Sequence, residues 1–319
     1  MADATLAAPQ DRRHDRVDKA MGWLRIGLGV LWLVDGVLQM QPGMFTMDMV
    51  SDIMAPAATA QPPWLARLID WSVRVVTPHL VPFNWSVVGL QLLIGLLLLS
   101  PRRRHQRVGL LLSLLWGTAV WLFGEGLGQI LTGSATALTG APGSAFYYAL
   151  FSAFLLLPCS TARRLFTARR DPLVWTAAGS LFLTAALQLA GPFWTPLGLA
   201  APFGDAAMMP QPGWLRATVE WAGSLAAHHP GAVNLALVAT SAALGLALLV
   251  LPDRAGPKAL AFAFFFLVWW FGQDFGMLSS GMATDPNSAP LLLLALAVSW
   301  AKVRAPRLVS RTAGVLRRA

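Results

Sequence analysis

Asp35 and Gln39 stand four residues apart inside an otherwise apolar run, so both project from one face of any helix that forms there. An ionisable group at the centre of a bilayer costs roughly 2.5–3.5 kcal/mol, which makes such a residue a candidate for binding or proton handling. Gln91 lies near the middle of a second apolar run. Two further polar clusters end other runs: Glu125 in WLFGEG and Gln273 with Asp274 in WWFGQD. Gln188 ends another, 149 positions after Gln39. Carboxylates and amides without a basic neighbour suit a cation, a proton or a neutral hydrogen-bonding ligand, and disfavour anions.

These side chains must be held by membrane-crossing elements. Of 319 residues, 56% are hydrophobic and 12% charged, with mean hydropathy +0.57, against about 25% charged in an ordinary soluble domain. Eight apolar runs, 22–40, 82–100, 109–127, 143–159, 173–190, 232–251, 259–278 and 288–303, each approach the ~20 residues that span a hydrocarbon core. Eight crossings put 21 of the 24 Lys and Arg residues on the side of the N-terminus, leaving only Arg67, Arg74 and Arg216 on the other. The positive-inside bias then sets both termini in the cytoplasm of a bacterial inner membrane. Lys302 and Arg304 shorten the eighth run, but omitting it would export the basic tail. The net charge of +9 thus reports orientation and attraction to anionic lipid, not nucleic-acid binding. No small-residue cleavage site follows the first run, so that run is expected to stay in the membrane.

The chain repeats itself. QPPWLARLIDW (61–71) matches QPGWLRATVEW (211–221) at an offset of 150, which also pairs His79 with His229 and Asn84 with Asn234. WLFGEGLGQILTGSATALTGAP (121–142) matches WWFGQDFGMLSSGMATDPNSAP (269–290) at an offset of 148. The expected fold is therefore all-α: a polytopic membrane protein of eight transmembrane helices in two parallel four-helix repeats, 20–159 and 173–303. A basic cytoplasmic linker (160–172) joins them, and basic cytoplasmic tails (1–19 and 304–319) flank them. Equivalent elements of parallel repeats lie at equal depth. On that basis Asp35, Gln39, Gln91, Glu125, Gln188, Gln273 and Asp274 are expected to converge on one outward-facing polar cavity at the repeat interface. The second copy has Thr184 where the first has Asp35.

Each copy carries a long outer segment between its first two crossings, about 41–81 and 191–231. In the first, Trp64, Leu68, Trp71 and Val75 recur at helical spacing, opposed to Arg67, Asp70 and Arg74. Trp214, Thr218, Trp221 and Leu225 repeat the pattern, opposed to Arg216 and Glu220. Short amphipathic helices lying in the membrane interface are expected, with tryptophans at headgroup depth.

The first run, with Arg25, Gly27, Gly29 and Gly36, and the Leu- and Gly-rich second run with Gln91 near its centre resemble the first two helices of the DoxX/DoxD superfamily of four-helix membrane proteins. The four-crossing unit with an outer segment after the first crossing resembles it too, so the likeness extends to each half. Where this chain has Gln91, that family often has Glu. The resemblance implies a membrane subunit that binds quinone or another lipid-soluble partner for a redox enzyme. Two other classes remain open on the residues: a transporter or channel with its site at the repeat interface, and a scaffold for an exported protein. Lone Cys159 excludes thiol–disulfide exchange within the chain.

The remaining candidates are weaker. His79, His228 and His229 fall in the outer segments and none lies mid-span, which argues against haem held between helices; as metal ligands they are weak. Met40, Met44, Met47, Met49 and Met54 offer thioethers, but the second copy keeps only Met208 and Met209, so adaptable interfacial packing accounts for them. The glycines of 124–133 face outward without a following Gly-Lys-Ser/Thr, which rules out a phosphate loop and leaves two readings, a compact loop dipping towards the repeat interface or a helix stop with a well-packed turn.

Overall fold

The computed structural model describes residues 9–166 and 171–304. Residues 1–8, 167–170 of the expected linker and 305–319 of the expected C-terminal tail lie outside the described residues. Among the described residues the fold is all-helical, with twelve α-helices and no strand. Five segments of the described residues are long and apolar enough to cross a membrane: Asp15–Leu38, Pro63–Leu99, Arg103–Phe123, Pro230–Val250 and Ala255–Gly272. A bent pair, Ser144–Leu156 with Cys159–Leu165, makes a sixth if counted as one.

Helix α1 (Pro9–Leu38) begins inside the expected N-terminal tail, so residues 9–19 continue the first apolar run as helix. Helix α2 (Pro63–Val76) precedes α3 (Leu80–Leu99) and α4 (Arg103–Phe123). Helix α5 (Ser144–Leu156) is shorter than the expected 143–159 run. Leu157 takes extended backbone (φ −58°, ψ 145°) ahead of Pro158, the conformation that a following proline imposes. The chain then turns by 116° into α6 (Cys159–Leu165). The second half runs through α7 (Pro172–Gln188), α8 (Pro196–Met208), α9 (Gly213–His228), α10 (Pro230–Val250), α11 (Ala255–Leu267) and α12 (Ala289–Arg304).

In the first half α1 packs on α3, α3 on α4 and α4 on α5; in the second, α7 packs on α10, α10 on α11 and α11 on α12. Small residues allow the closest of these approaches. A Cβ on Gly95 would stand 2.6 Å from Leu33 Cγ and 2.8 Å from the Gly29 carbonyl oxygen, so α1 and α3 touch backbone to backbone there. The halves meet through α12, which packs on α1 and α5 as well as α7. A hydrogen bond of 2.7 Å joins the Tyr147 hydroxyl of α5 to Ser180 Oγ of α7.

Several buried polar groups pair with one another between helices. Trp32 Nε1 and Ser152 Oγ both donate to Ser113 Oγ, at 2.8 and 2.7 Å, tying α1, α4 and α5. In the second half Lys258 Nζ donates to Ser299 Oγ at 2.9 Å, and Ser299 Oγ donates to Asp171 Oδ2 at 2.8 Å. Asp171 Oδ1 accepts the Leu173 N–H at 3.1 Å and so caps α7.

Both stretches expected to form short amphipathic helices are helical, as α2 and α9. On α2 the inward stripe is Leu65, Ile69, Ser72 and Val76, while Trp64, Trp71 and Val75 are exposed. On α9 Leu215, Val219 and Ala226 are buried, and Trp214, Trp221 and Leu225 exposed. The tryptophan stripe thus lies one position off the packed stripe and is about half exposed, with Trp71 against Phe123 and Trp221 against Phe271. Helix α8, which packs on α9, is an element that the periodicity of the sequence does not predict; the corresponding part of the first half holds only short 3-10 and π turns.

Candidate functional site

Just past α4, and past the π turn Val268–Gly272 that continues α11, the backbone becomes left-handed for four consecutive residues. Gly126, Leu127, Gly128 and Gln129 have φ of 53–63°; Asp274, Phe275, Gly276 and Met277 have φ of 48–72°. The two runs sit at the sequence offset of 148. Left-handed backbone costs a non-glycine residue roughly 1–2 kcal/mol, so such a run persists only where its surroundings impose it. Here they do. Trp121 Nε1 donates to the Pro142 carbonyl at 2.7 Å, and Trp269 Nε1 to the Pro286 carbonyl at 2.8 Å. Gln61 Nε2 donates to the Gly126 carbonyl at 2.8 Å.

The turn delivers the residue preceding it to the start of the next long helix. Glu125 Oε1 accepts from Ser144 Oγ (2.7 Å) and from the Ala145 N–H (3.1 Å), capping α5. Gln273 Oε1 accepts from the Ala289 N–H (3.2 Å) while its Nε2 donates to Ser288 Oγ (3.1 Å) and the Ala137 carbonyl (3.0 Å), capping α12. The amide is fully engaged in this way. The carboxylate is not: Glu125 Oε2 is buried without a partner.

Between α1, α3, α4 and α5, with α2 alongside, lies a cavity of about 390 Å³, within the size range of small-molecule sites. Of the seven residues expected to converge, Asp35, Gln39, Gln91 and Glu125 line it. Asp35 is 1% exposed and Gln91 6%. Gln39 is held in a reciprocal pair, its Nε2 donating to Asn84 Oδ1 (2.6 Å) and Asn84 Nδ2 to the Gln39 carbonyl (3.0 Å). Gln188, Gln273 and Asp274 lie outside this lining. Gln188 sits in the counterpart clamp, where Asn234 Nδ2 donates to its carbonyl at 2.8 Å and its own Nε2 donates to Thr136 Oγ1 at 3.0 Å. Asp274 is buried at the start of its left-handed turn, with both carboxylate oxygens unpartnered.

Several residues of the cavity went unseen in the sequence. The Tyr148 hydroxyl is the hydrogen-bonding neighbour of the Asp35 carboxyl, and its ring lies against Trp32 with centroids 4.2 Å apart. Trp116 lines the wall with its Nε1 buried and unpartnered. Met44, Met49 and Met54, part of the methionine run, form a buried apolar wall, whereas Met40 and Met47 are exposed. Asp285 reaches the cavity from the second half. A signal existed for two of these: Tyr147 and Tyr148 are the only tyrosines of the chain, and Asp285 replaces Ala137 within the matched blocks.

Three carboxyl groups, Asp35, Glu125 and Asp285, line the cavity, and among the described residues no Lys, Arg or His does. His79, between α2 and α3, and His228 and His229, at the end of α9, are exposed. Among the described residues no group of three or more His, Cys, Asp or Glu could hold a metal ion. No protein-family model, curated protein or solved structure matches this chain.

Proposed function

We propose that this chain is a multi-pass membrane protein of eight crossings, built as two parallel four-helix units, whose first unit binds one lipid-soluble molecule that donates hydrogen bonds. The reduced head of a quinone, acting with a redox partner, is the ligand that the DoxX-like resemblance supplies. One observation carries the binding reading. Asp35 Oδ1, Gln91 Oε1, Glu125 Oε2 and Trp116 Nε1 are buried polar atoms without partners, and all belong to residues lining the same cavity. Left unmet, each buried group costs about 1–3 kcal/mol. Three acceptors and one donor, set in walls of tryptophan, phenylalanine and methionine, complement an aromatic diol with an apolar tail.

The matching helix order, the paired Asn–Gln clamps and the twin left-handed turns support the two-unit architecture. The short helices α5 and α7, of 13 and 17 residues, reach only ~20–26 Å at 1.5 Å per residue. Irregular backbone at membrane depth is tolerated where protein buries it, as at Gly126, Gly128 and Ala135–Leu138. The second-half counterparts of Asp35, Gln91, Glu125 and Trp116 keep no polar atom free for a ligand, Gln273 being engaged at the α12 cap, although Gln188, the counterpart of Gln39, retains an unpartnered Oε1. Thr184 stands for Asp35 and donates to the Ser180 carbonyl, Ser241 stands for Gln91 and donates to the Leu237 carbonyl, and Phe264 stands for Trp116.

Topology is tested with a reporter active only in the cytoplasm. Fusions after Arg104, Arg170, Lys258 and Ala319 are expected to work and those after Gly140 and Ala207 to fail, following the partition of basic residues. A cytoplasmic signal from the Ala207 fusion would overturn eight crossings.

Binding is tested by titrating the purified chain, in quinone-free nanodiscs, with decylubiquinol. Tryptophans 32, 71 and 116 line the cavity, so saturable quenching with one ligand per chain is expected. Absence of saturable quenching sinks the quinol reading, and cation flux through proteoliposomes of the chain alone would move the assignment to transport.

A further inference from the structure

We propose that Asp285, carried on the loop between α11 and α12, is a ligand-binding residue of the first half's cavity, and that this loop forms the cavity's outer wall. The inference rests on the reading that the cavity holds a ligand. Thr284 and Asp285 line the cavity although every other lining residue precedes position 149. The loop is fastened to the first half: the Ala283 N–H donates to Gln41 Oε1 at 3.1 Å. Gly43 makes room for it, since a Cβ there would stand 2.8 Å from Met282 Cγ and 3.1 Å from the Gly281 carbonyl oxygen. Its carboxylate is oriented by the Asn287 N–H at 2.7 Å and by Thr284 Oγ1 at 2.9 Å.

The crossing is reciprocal. The matched loop of the first half sends Thr136 to Gln188 and the Ala137 carbonyl to Gln273, the second-half counterparts of Gln39 and Glu125. In the aligned blocks Thr136 corresponds to Thr284 and Ala137 to Asp285. Each loop therefore covers the other half's site. The one that covers the second half presents alanine beside Gln273, whose amide is fully engaged, and Gln188, which keeps an unpartnered Oε1; the one that covers the cavity presents a carboxylate.

Asp285 adds a third carboxyl to a cavity already lined by Asp35 and Glu125, a like-charge penalty set against its two local hydrogen bonds. A ligand that brings hydrogen-bond donors or positive charge removes that penalty. Asp35 Oδ1 of α1 and Gln91 Oε1 of α3, both unpartnered and on residues over nine-tenths buried, belong to the lining of the same cavity. The ligand head is thus gripped by acceptors from both halves, and the site is complete only when the halves are docked.

The test uses the full chain with Cys159→Ser and Ser72→Cys, which sets a thiol in the cavity wall. Its labelling by an impermeant methanethiosulfonate is measured alongside decylubiquinol affinity. Asp285→Asn is expected to weaken decylubiquinol five- to thirtyfold and leave the labelling rate unchanged. Gln41→Ala, which releases the loop, is expected to speed labelling several-fold. Affinity within twofold of the parent in both Asp285→Asn and Asp285→Ala overturns the binding role. If the parent binds no decylubiquinol, the quinol reading fails but the wall is still judged: unchanged labelling in Gln41→Ala overturns it, and faster labelling supports it.

Discussion

Gly128→Ala is expected to prevent recovery of folded protein, or to lower its melting temperature far more than any other glycine-to-alanine change in the same loop. A Cβ at position 128 would lie 1.9 Å from the Pro142 carbonyl oxygen and 2.2 Å from its carbon, and the backbone there has φ of +63°. The obstructing atoms are backbone held by Trp121, so they cannot swing aside. Conformational strain and overpacking together should cost roughly 2–5 kcal/mol. Gly133→Ala is the internal control, because it has φ of +78° but open space around its Cβ. Its cost should be the conformational part alone, roughly 1–2 kcal/mol. Melting of the detergent-purified variants by fluorescence-detected size exclusion reads the difference. Equal losses in the two variants would mean that the chain does not fold back on Pro142 as described. The consequence for function is direct, since this turn places Glu125 at once on the cap of α5 and on the cavity wall.

The elements that the sequence revealed are those set by composition and periodicity. Apolar runs become helices because lipid leaves the backbone few other ways to pair its hydrogen bonds, and their starts and ends follow prolines and glycines. The clamps were half visible: the pairing of Asn84 with Asn234 and of Gln39 with Gln188 could be read, but not that each Asn binds the other residue's carbonyl. What escaped was set by tertiary contact. Gln273 and Glu125 occupy matched positions in the sequence, yet one exhausts its hydrogen bonds on a helix cap while the other keeps an oxygen for the cavity. Nothing in the local pattern distinguishes them. The packed stripe of α2, Leu65, Ile69, Ser72 and Val76, escaped entirely, because the large apolar side chains Trp64 and Trp71 are half exposed and size does not mark the packed face. Asp285 escaped because a loop's destination is written in neither composition nor period.

Asp35→Leu should separate stability from binding. Asp35 is 1% exposed, one of its oxygens has no partner, and Glu125 and Asp285 oppose its charge. Removing an unsatisfied buried carboxyl in favour of an apolar side chain of similar size is neutral or stabilising, by roughly 1–3 kcal/mol. The second half illustrates the stable solution with Thr184, whose hydroxyl donates to the Ser180 carbonyl at 2.8 Å and needs no ligand. The variant is therefore expected to melt at or above the parent's temperature. Its decylubiquinol affinity should fall by roughly 10–150-fold, the equivalent of one hydrogen bond to a charged group. A purely structural Asp35 gives the opposite pair of results, a lower melting temperature with affinity retained. Asp35→Asn refines the comparison, because it keeps the shape and one acceptor beside the Tyr148 hydroxyl while removing the charge. Affinity intermediate between parent and Asp35→Leu is expected, since a neutral acceptor still meets a ligand hydroxyl but forms a bond about half as strong. Retention of full affinity by Asp35→Leu would remove Asp35 from the site and leave its burial as a cost of folding without return.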